Sequence, residues 1–425
     1  MKFFSSEIYY PSLFLLIFII LLSSYNQSLT ANPPQIKIGL DVLMEEKLEL
    51  ISGKKVGVIT NQTGIDSKGN HVIDLLFEAP GVELTALFGP EHGIRGDVEG
   101  GFKIKTNVDA KTGVPIFSIY GKTKKPTPQM LENIDVLIFD IQDVGTRFYT
   151  YISTMSLCME AAAENNIQFL VLDRPNPITG TMVEGPVLDE EYKSFVGIHP
   201  IALRHGMTVG ELAKMFNDEG WLANGVKADL KVIKMKNWRR DSWYDELGLK
   251  WIKPSPNMPS ATAALLYPGM GLLETTNISE GRGTELPFIN VGAPWINNSK
   301  LKQILDNADI PGIRVDTTSY IPVDMPGAAM NPKFEGQLCR GLKLFITDPL
   351  KFPSVTFGLF LISAVQKNHF DEFQWRSPRS PLIMFGNNET PSAIENGEPP
   401  KKIIQSWQEK LDKFIQKRKR YLLYE

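Results

Sequence analysis

The chain has 425 residues, of which 43% are hydrophobic and 22% are charged, and its formal net charge is −3. This length favours about two domains, and the near balance of charges gives no support for nucleic-acid binding, which requires a basic face. The phosphate-loop patterns GxxxxGKS/T and GxGxxG do not occur in the sequence, so nucleotide binding has no support either.

The first predicted element is the run SLFLLIFIILL (12–22), which follows Lys2 and precedes small and polar residues. Its apolar core of about ten residues is short for a membrane span and typical of a secretory signal peptide. We predict a cleaved signal peptide over 1–31, a periplasmic or secreted mature protein, and no integral membrane domain after cleavage. An uncleaved anchor is the alternative, whereas a lipoprotein anchor is disfavoured because no cysteine follows the run.

Buried parallel strands are predicted in the first half of the chain, because short runs rich in Val, Ile, Leu and Phe alternate with helical stretches. The strand runs are KVGVIT (55–60), LTALFG (84–89), PIFSIYG (115–121), VLIFDI (136–141) and FLVLD (169–173). Helices are predicted between them at 71–79, 127–134 and 147–166, the last ending in Asn-Asn as a C-cap. This alternation predicts a doubly wound α/β domain over 36–195.

The second half, 196–425, is predicted to be a second α/β domain of less regular pattern. A helix over 207–220 begins with Thr208 as N-cap and Glu211 in a capping box. Strands follow at 229–238 and 341–349, and a helix at 401–424 closes the chain. The two cysteines form no disulfide framework, and we predict that Cys158 is a buried free thiol.

Polar side chains follow four of the predicted strands, and ligand sites in open α/β sheets form at the carboxyl ends of strands. The segments are Asn61–Gly64, Pro90–Gly93, Gln142–Tyr149 and Arg174–Pro177. Asp and Asn beside Gly or Pro are also common in turns for conformational reasons, so a single such turn is equally well explained by structure. Asp140 inside an apolar strand and Arg147 at a helix start are harder to explain by folding alone.

Carboxylates, amides, arginines and tyrosines dominate the remaining polar segments, RHG (204–206), Asn257 and NISEGRGT (277–284). The chain lacks GxSxG, HExxH and CxxC patterns and has five histidines, so serine-hydrolase, zincin and histidine-rich metal sites lose support. The remaining residue types suit a sugar ligand, with paired carboxyl groups for glycoside hydrolysis. A Glu–Arg surface pair is the structural alternative for NISEGRGT.

Eight sequence blocks, in order, resemble one enzyme family over nearly the whole chain from residue 37. They are VGVITNQTG, ALFGPEHGIRGD, FDIQDVGTRFYTYISTM, LDRPNPITG, VEGP, RHGMTVGEL, PSPNMP and SEGRGT with LPF and GAPW after it. Together they resemble the exo-β-N-acetylmuramidases of the NamZ type, glycoside hydrolase family 171. The resemblance implies a Rossmann-like N-terminal domain, a smaller α/β C-terminal domain and an active site in the cleft between them. It also implies removal of terminal N-acetylmuramic acid from the non-reducing end of peptidoglycan fragments, without a cofactor or metal.

Site roles follow from the resemblance and the segments above. We predict Glu91 as the first catalytic carboxylate and general acid, held or tuned by His92. Glu280 is the predicted partner from the other domain, with Asp140 and Asp143 as competing choices. Retention and inversion both stay open, because the outcome depends on whether the two carboxyl groups lie about 5 Å or roughly 6.5–9.5 Å apart.

Substrate binding is predicted for two groups of residues. Arg147, Arg282 and His205 are candidates for the lactyl carboxylate, with the arginines preferred because a planar guanidinium suits a carboxylate. Asn61, Tyr149, Asn176 and Asn257 are candidates for hydroxyl and acetamido groups. Two other functions compete: a secreted muropeptide-binding or sugar-binding protein without hydrolytic activity, and a metal-assisted hydrolase using Asp140, Asp143 and His92.

Overall fold

Strands in this computed structural model, which describes residues 1–2, 35–91, 93–95 and 107–425, are numbered in chain order. They are β1 (Lys55–Thr60), β2 (Glu83–Gly89), β3 (Asn107–Val108), β4 (Pro115–Ser118), β5 (Val136–Asp140), β6 (Gln168–Leu172), β7 (Glu184–Val187), β8 (Ala202–Arg204), β9 (Leu230–Ile233), β10 (Asn290–Ala293), β11 (Ile313–Tyr320) and β12 (Cys339–Ile346). The α-helices are α1 (Gly39–Glu46), α2 (Val72–Glu78), α3 (Tyr151–Glu164), α4 (Val209–Asp218), α5 (Ala261–Met270), α6 (Asn298–Ala308), α7 (Ser354–Asn368), α8 (Ser380–Phe385), α9 (Glu389–Glu395) and α10 (Pro400–Arg418).

Seven strands form the main sheet in the order β3-β4-β2-β1-β5-β6-β9. All neighbouring pairs are parallel except β3–β4, where β3 forms a short antiparallel edge. Successive side chains of β5 enter opposite cores: Leu137 and Phe139 pack with α3 and α4, whereas Val136 and Ile138 pack with α1 and α2. Both faces of the sheet are thus covered by helices, which confirms the predicted doubly wound α/β fold.

The main sheet continues beyond the predicted domain boundary at 195–196. β9 pairs in parallel with β6, with Leu170 opposite Lys231, and α4 packs against both strands. Residues 209–233 therefore add one more helix–strand step to the first domain. Between β6 and α4, the strands β7 and β8 form a separate two-stranded antiparallel sheet. This insertion interrupts the alternation of strands and helices in the sequence.

An antiparallel sheet of order β10-β12-β11 and the helices from α5 onward form the second domain. α5 and α7 pack unusually closely, since a Cβ on Gly269 would lie 2.0 Å from the Ser354 carbonyl oxygen. Pro268 lies within α5, and the Ser354 hydroxyl accepts a hydrogen bond from the Gly269 N–H at 3.1 Å. This contact fixes the turn Gly271–Thr275, which begins where α5 ends.

Among the predictions for single elements, the helix cap and the free thiol are confirmed, whereas two helix predictions are wrong in type or in starting residue. The capping box of Thr208 and Glu211 is present at the start of α4, and Cys158 and Cys339 are both buried free thiols. The helix predicted over 127–134 is only a 3-10 turn, Pro128–Leu131, which ends before Asn133 at φ 63°. α3 begins at Tyr151 rather than 147, because the Arg147 N–H donates to the Leu203 carbonyl instead of starting a helix.

The predicted signal peptide includes residues 3–31, which lie outside the described residues. Among the residues that are described, each helix is too short or too polar to cross a bilayer.

Candidate active site

A cavity of about 400 Å³, here called the inner cavity, lies where β2 and β5 end and the second domain begins. Seven of the described residues that line it are buried and most of the others are half-buried, so the cavity is recessed from the surface. Its volume falls in the range of small-molecule sites. The lining includes Glu91, Phe148, Tyr149, Tyr151, Ser255, Asn257, Tyr267, Glu274, Arg282, Phe288, Ala328 and Met330.

Glu91 reaches the inner cavity from the turn that follows β2. The Gly93 N–H closes this turn by donating to the Pro90 carbonyl at 3.2 Å, and Gly93 has φ 80°, which explains the need for glycine. The Tyr120 hydroxyl, just beyond β4, donates to Glu91 Oε1 at 2.7 Å. Glu91 is therefore held through one oxygen, and its other oxygen is not engaged by the described residues.

Arg95 anchors the same turn to the rest of the first domain. Its Nε donates to Asp109 Oδ1 at 2.8 Å, and Nη2 donates to Asp74 Oδ1 at 2.9 Å. The hydrogen-bonded guanidinium of Arg95 lowers the pKa of the Asp109 carboxyl to about 2. The Arg95–Asp109 ion pair thus joins the segments before and after residues 96–106, close to Glu91.

Glu274 and Arg282 form the wall of the inner cavity on the side of the second domain. Arg282 Nη2 donates to Glu274 Oε1 at 2.7 Å, and Arg282 Nε lies 3.5 Å from Glu280 Oε1. Lys333 Nζ donates to Glu280 Oε2 at 2.8 Å. Glu280 is therefore buried between two cations, whereas Glu274 has one cationic partner and faces the cavity.

A second cavity of about 590 Å³, here called the outer cavity, lies beyond this wall. It shares Glu274, Arg282, Ala328 and Met330 with the inner cavity, and it contains Glu280 and Lys333. The two cavities are therefore adjoining chambers, and the Glu274–Arg282 pair separates them.

Aromatic rings form the floor of the inner cavity. Tyr267 packs edge-on against Phe148, Tyr149 and Phe288, with ring centroids 4.8–5.9 Å apart. Burial raises the pKa of both Tyr149 and Tyr267 well above the usual value, so these hydroxyls stay protonated. The buried Tyr149 hydroxyl has no hydrogen-bond partner among the described residues, which leaves it available as a donor. Phe288 has φ 63°, a rare conformation for a bulky residue.

Five of the predicted site residues lie at these cavities. Glu91, Tyr149, Asn257 and Arg282 line the inner cavity, and Glu280 lines the outer one. The amide nitrogen of Asn257 donates to the Ala328 carbonyl at 2.5 Å, which holds the loop over the cavity. His92 lies outside the described residues.

Arg147 does not face either cavity, and its geometry does not favour the predicted contact with a lactyl carboxylate. The side chain is 1% exposed, and its two terminal nitrogens donate to four backbone carbonyls. These acceptors belong to Pro186, Ile201, Met384 and Phe385, at 2.7–3.0 Å. Arg147 therefore joins the two domains, and this role explains its position in the sequence.

Asp140 and Asp143 are likewise engaged in the protein interior, and neither is among the residues that line the two cavities. The buried Asp140 accepts two hydrogen bonds from Arg174, at 2.6 and 2.8 Å, which supply the ion pair that a buried carboxylate needs. Asp143 Oδ2 accepts from the Gly145 N–H at 2.7 Å and lies 3.5 Å from His205 Nε2. The geometry therefore does not favour Asp140 or Asp143 as a catalytic carboxylate, or His205 as a substrate-binding residue.

Asn61 and Asn176 stabilise turns rather than facing a cavity. Asn61 Oδ1 accepts from the Thr63 N–H at 2.9 Å, and Asn176 Oδ1 accepts from the Ile178 N–H at 3.1 Å. Both are side-chain turns in which the amide replaces a backbone acceptor. In the described residues no cluster of three His, Cys, Asp or Glu side chains arranged for a metal ion was found.

Three polar residues of interest were not among the predicted site residues: Tyr120, which contacts Glu91; Glu274, which lines both cavities; and Lys333, which lines the outer one. Tyr120 follows a strand in the same way as Glu91, so the rule of polar strand ends applies to it as well. Glu274 lies in the turn after α5, within GLLETTN, where the sequence carries no such signal. Lys333 lies in the loop between β11 and β12, about fifty residues from its partner Glu280.

Comparisons with known proteins agree on one relationship. Models described as "Exo-beta-N-acetylmuramidase NamZ, N-terminal" and "C-terminal" match residues 56–262 and 265–424. The peptidoglycan beta-N-acetylmuramidase NamZ of Bacillus subtilis (strain 168) is 47% identical over 395 residues, 93% of each chain. Two crystal structures of DUF1343 family proteins from Bacteroides fragilis NCTC 9343 are also similar. One has a TM-score of 0.85 at 38% identity and the other 0.76 at 34%, each covering 92% of this chain and 99% of its own.

Proposed function

Because the chain belongs to the family of the exo-beta-N-acetylmuramidase NamZ, we propose that the inner cavity is its active site and that Glu91 and Glu274 are its catalytic carboxylates. The protein is a glycoside hydrolase that releases terminal N-acetylmuramic acid from the non-reducing end of peptidoglycan fragments. The comparisons give no support to the alternative of a sugar-binding protein without hydrolytic activity. The proposal therefore concerns which residues perform the reaction.

The orientation of Glu91 by Tyr120 is the observation that carries the assignment. A general acid needs a protonated carboxyl whose proton points toward the glycosidic oxygen. The Tyr120 hydroxyl donates to Oε1, so the acid proton of Glu91 belongs on Oε2. In the reaction that proton passes to the leaving oxygen as the bond from the anomeric carbon breaks, and water supplies the hydroxyl group of the released sugar.

Glu274 is the proposed second carboxylate, in place of the predicted Glu280. Glycoside hydrolysis uses two carboxyl groups on either side of the scissile bond. Glu274 lines the inner cavity together with Glu91, whereas Glu280 lies behind the wall between Lys333 and Arg282. We assign Glu280 the role of holding Arg282 in place.

Arg282 is the proposed contact for the lactyl carboxylate. Its Nη2 is bound to Glu274, but the described residues give its Nη1 no partner. A guanidinium that already carries one carboxylate presents its remaining N–H groups in a fixed direction. The unpartnered Tyr149 hydroxyl supplies a donor for a hydroxyl or acetamido oxygen.

Export is part of the proposal. The apolar run over 12–22 supports a signal peptide, and peptidoglycan lies outside the cytoplasmic membrane. N-terminal sequencing of the protein from the periplasm or the medium should give a chain that begins after residue 31. A full-length chain in the membrane fraction would support the uncleaved anchor instead.

Hydrolysis of para-nitrophenyl β-N-acetylmuramide, measured beside the corresponding N-acetylglucosaminide, tests the active site. The wild-type protein should release nitrophenol from the muramide only, and Glu274→Gln should reduce kcat on it by about 10²–10⁴-fold. Glu91→Gln should cause a loss of about that size on the disaccharide N-acetylmuramyl-β-1,4-N-acetylglucosamine, whose leaving sugar needs the general acid. If Glu280→Gln lost as much activity while Glu274→Gln lost none, the pair would be Glu91 and Glu280.

A further inference from the structure

The outer cavity adjoins the inner cavity and is lined by more exposed side chains. Among the described residues that line the inner cavity only Met330 is exposed, and the outer cavity adds the exposed side chains of Asn331 and Arg376. The Glu274–Arg282 pair belongs to both walls. A sugar chain whose terminal residue fills the inner cavity can therefore pass this pair and place its next sugar in the outer cavity.

Lys333 fixes the shape of the outer cavity. Its Nζ donates to the carbonyls of Leu273 and Ile278 at 2.8 and 2.9 Å, in addition to Glu280. The residues around it, Asn331 and Phe334, have φ values of 49° and 58°. Such left-handed conformations are uncommon outside glycine and persist where surrounding contacts determine them. The outer cavity is therefore preformed rather than a gap between loose side chains.

Arg376 places a cation at the open side of the outer cavity. Its backbone N–H donates at 2.6 Å to the carbonyl of Thr275, the last residue of the turn that carries Glu274. Within the part of the chain that the structure describes, its guanidinium forms no ion pair. Met330 and Phe334 add apolar surface nearby. Apolar surface beside a few directed donors matches a sugar ring, which has apolar faces and hydroxyl groups at its edge.

We propose that the outer cavity binds the saccharide leaving group of the reaction and that Arg376 donates hydrogen bonds to it. This inference rests on the proposed function, because it assumes that the terminal sugar occupies the inner cavity. An aryl leaving group offers Arg376 no sugar hydroxyls. Arg376 therefore contributes to cleavage of a natural disaccharide more than to cleavage of an aryl glycoside.

The test compares kcat/KM on two substrates, para-nitrophenyl β-N-acetylmuramide and the disaccharide N-acetylmuramyl-β-1,4-N-acetylglucosamine. Arg376→Ala should lower the ratio of disaccharide to aryl kcat/KM at least tenfold. Arg379→Ala removes the same charge from an exposed position three residues away that does not line the cavity, and it should leave the ratio unchanged. An unchanged ratio in Arg376→Ala, or an equal change in both variants, would overturn the proposal.

Competition by the free leaving sugar gives a second readout. N-acetylglucosamine should inhibit the wild-type aryl reaction and inhibit Arg376→Ala at least fivefold more weakly; equal inhibition of both would count against the outer cavity. Failure of the proposed function looks different, because the wild-type protein would then cleave neither substrate. If the wild-type protein cleaved both substrates and Arg376→Ala did not change the ratio of their kcat/KM values, this inference would be overturned and the proposed function would stand.

Discussion

Tyr120 and Glu91 come from the ends of neighbouring strands, β4 and β2, and meet through a hydrogen bond of 2.7 Å. Burial and the Glu91 carboxylate together raise the pKa of the Tyr120 hydroxyl above its usual value, so Tyr120 acts as a donor throughout the neutral range. The parallel register of the sheet thus sets the orientation of the proposed acid.

Tyr120→Phe should lower kcat about tenfold with little change in KM. The substitution removes one hydrogen bond, worth about 1 kcal/mol, and lets the Glu91 proton occupy either oxygen. Steady-state kinetics on the disaccharide would measure the change, with Tyr192→Phe, at a residue that lines neither cavity, as the control. A kcat equal to that of the wild-type protein would show that Tyr120 does not orient Glu91.

Glu91→Gln should lose more activity on the disaccharide than on the aryl muramide. Nitrophenolate is a good leaving group and needs little protonation, whereas a sugar alkoxide depends on a general acid, whose contribution is about 10²–10⁴-fold. Glu274→Gln should reduce activity on both substrates to a similar extent. The opposite pattern, with Glu274→Gln sensitive to the leaving group, would exchange the two roles.

Arg147→Met and Arg282→Met should show which of the two arginines binds the lactyl carboxylate, a choice that the sequence left open. Arg147→Met leaves four buried carbonyls without donors and should cost about 3 kcal/mol or more in urea denaturation, with KM unchanged for the folded fraction. Arg282→Met should raise KM for the muramide and reduce the preference over the glucosaminide. Loss of that preference in Arg147→Met at full stability would restore Arg147 as a substrate contact.

Lys333→Met should destabilise the protein by roughly 2–4 kcal/mol, because Glu280, only 5% exposed, would lose its closest cationic partner. The double variant Lys333→Met with Glu280→Gln should recover part of that loss, since no buried charge is then left unpaired. Free energies of unfolding of the wild-type protein, the two single variants and the double variant would measure the coupling between Lys333 and Glu280. Additive losses in the double variant would mean that the two residues act independently.

Asp109→Asn should be about 1–2 kcal/mol less stable than the wild-type protein at pH 7. The pKa of Asp109 is lowered to about 2 in the folded state by Arg95, against an ordinary value of 3.8. A lowered pKa adds stability above the unfolded-state pKa, and this stability disappears as the pH falls from about 4 to 2. Urea denaturation at a series of pH values should show the two proteins converging in acid; a constant difference would exclude the ion pair as its cause.

The sequence predicted the sheet well because buried parallel strands are continuous apolar runs, and it predicted Glu91 because polar residues after such strands share one edge. The same rule also selected Asp140 and Arg147, whose burial is structural. Asp140 pairs with Arg174, 34 positions away, and Arg147 binds carbonyls up to 238 positions away, so neither partnership is visible in local sequence. Glu274, which lines both cavities, was not among the predicted site residues, because packing of α5 against α7 rather than a strand end places it.

The four carbonyl contacts of Arg147 have a thermodynamic consequence for the whole chain. They connect the segment after β5 with β7, with the residue before β8 and with the last turn of α8. The two domains therefore cannot separate without exposing the buried Arg147 guanidinium and the carbonyl groups that it contacts. Although two family domains match the sequence, the protein should therefore melt in a single calorimetric transition, with equal calorimetric and van't Hoff enthalpies.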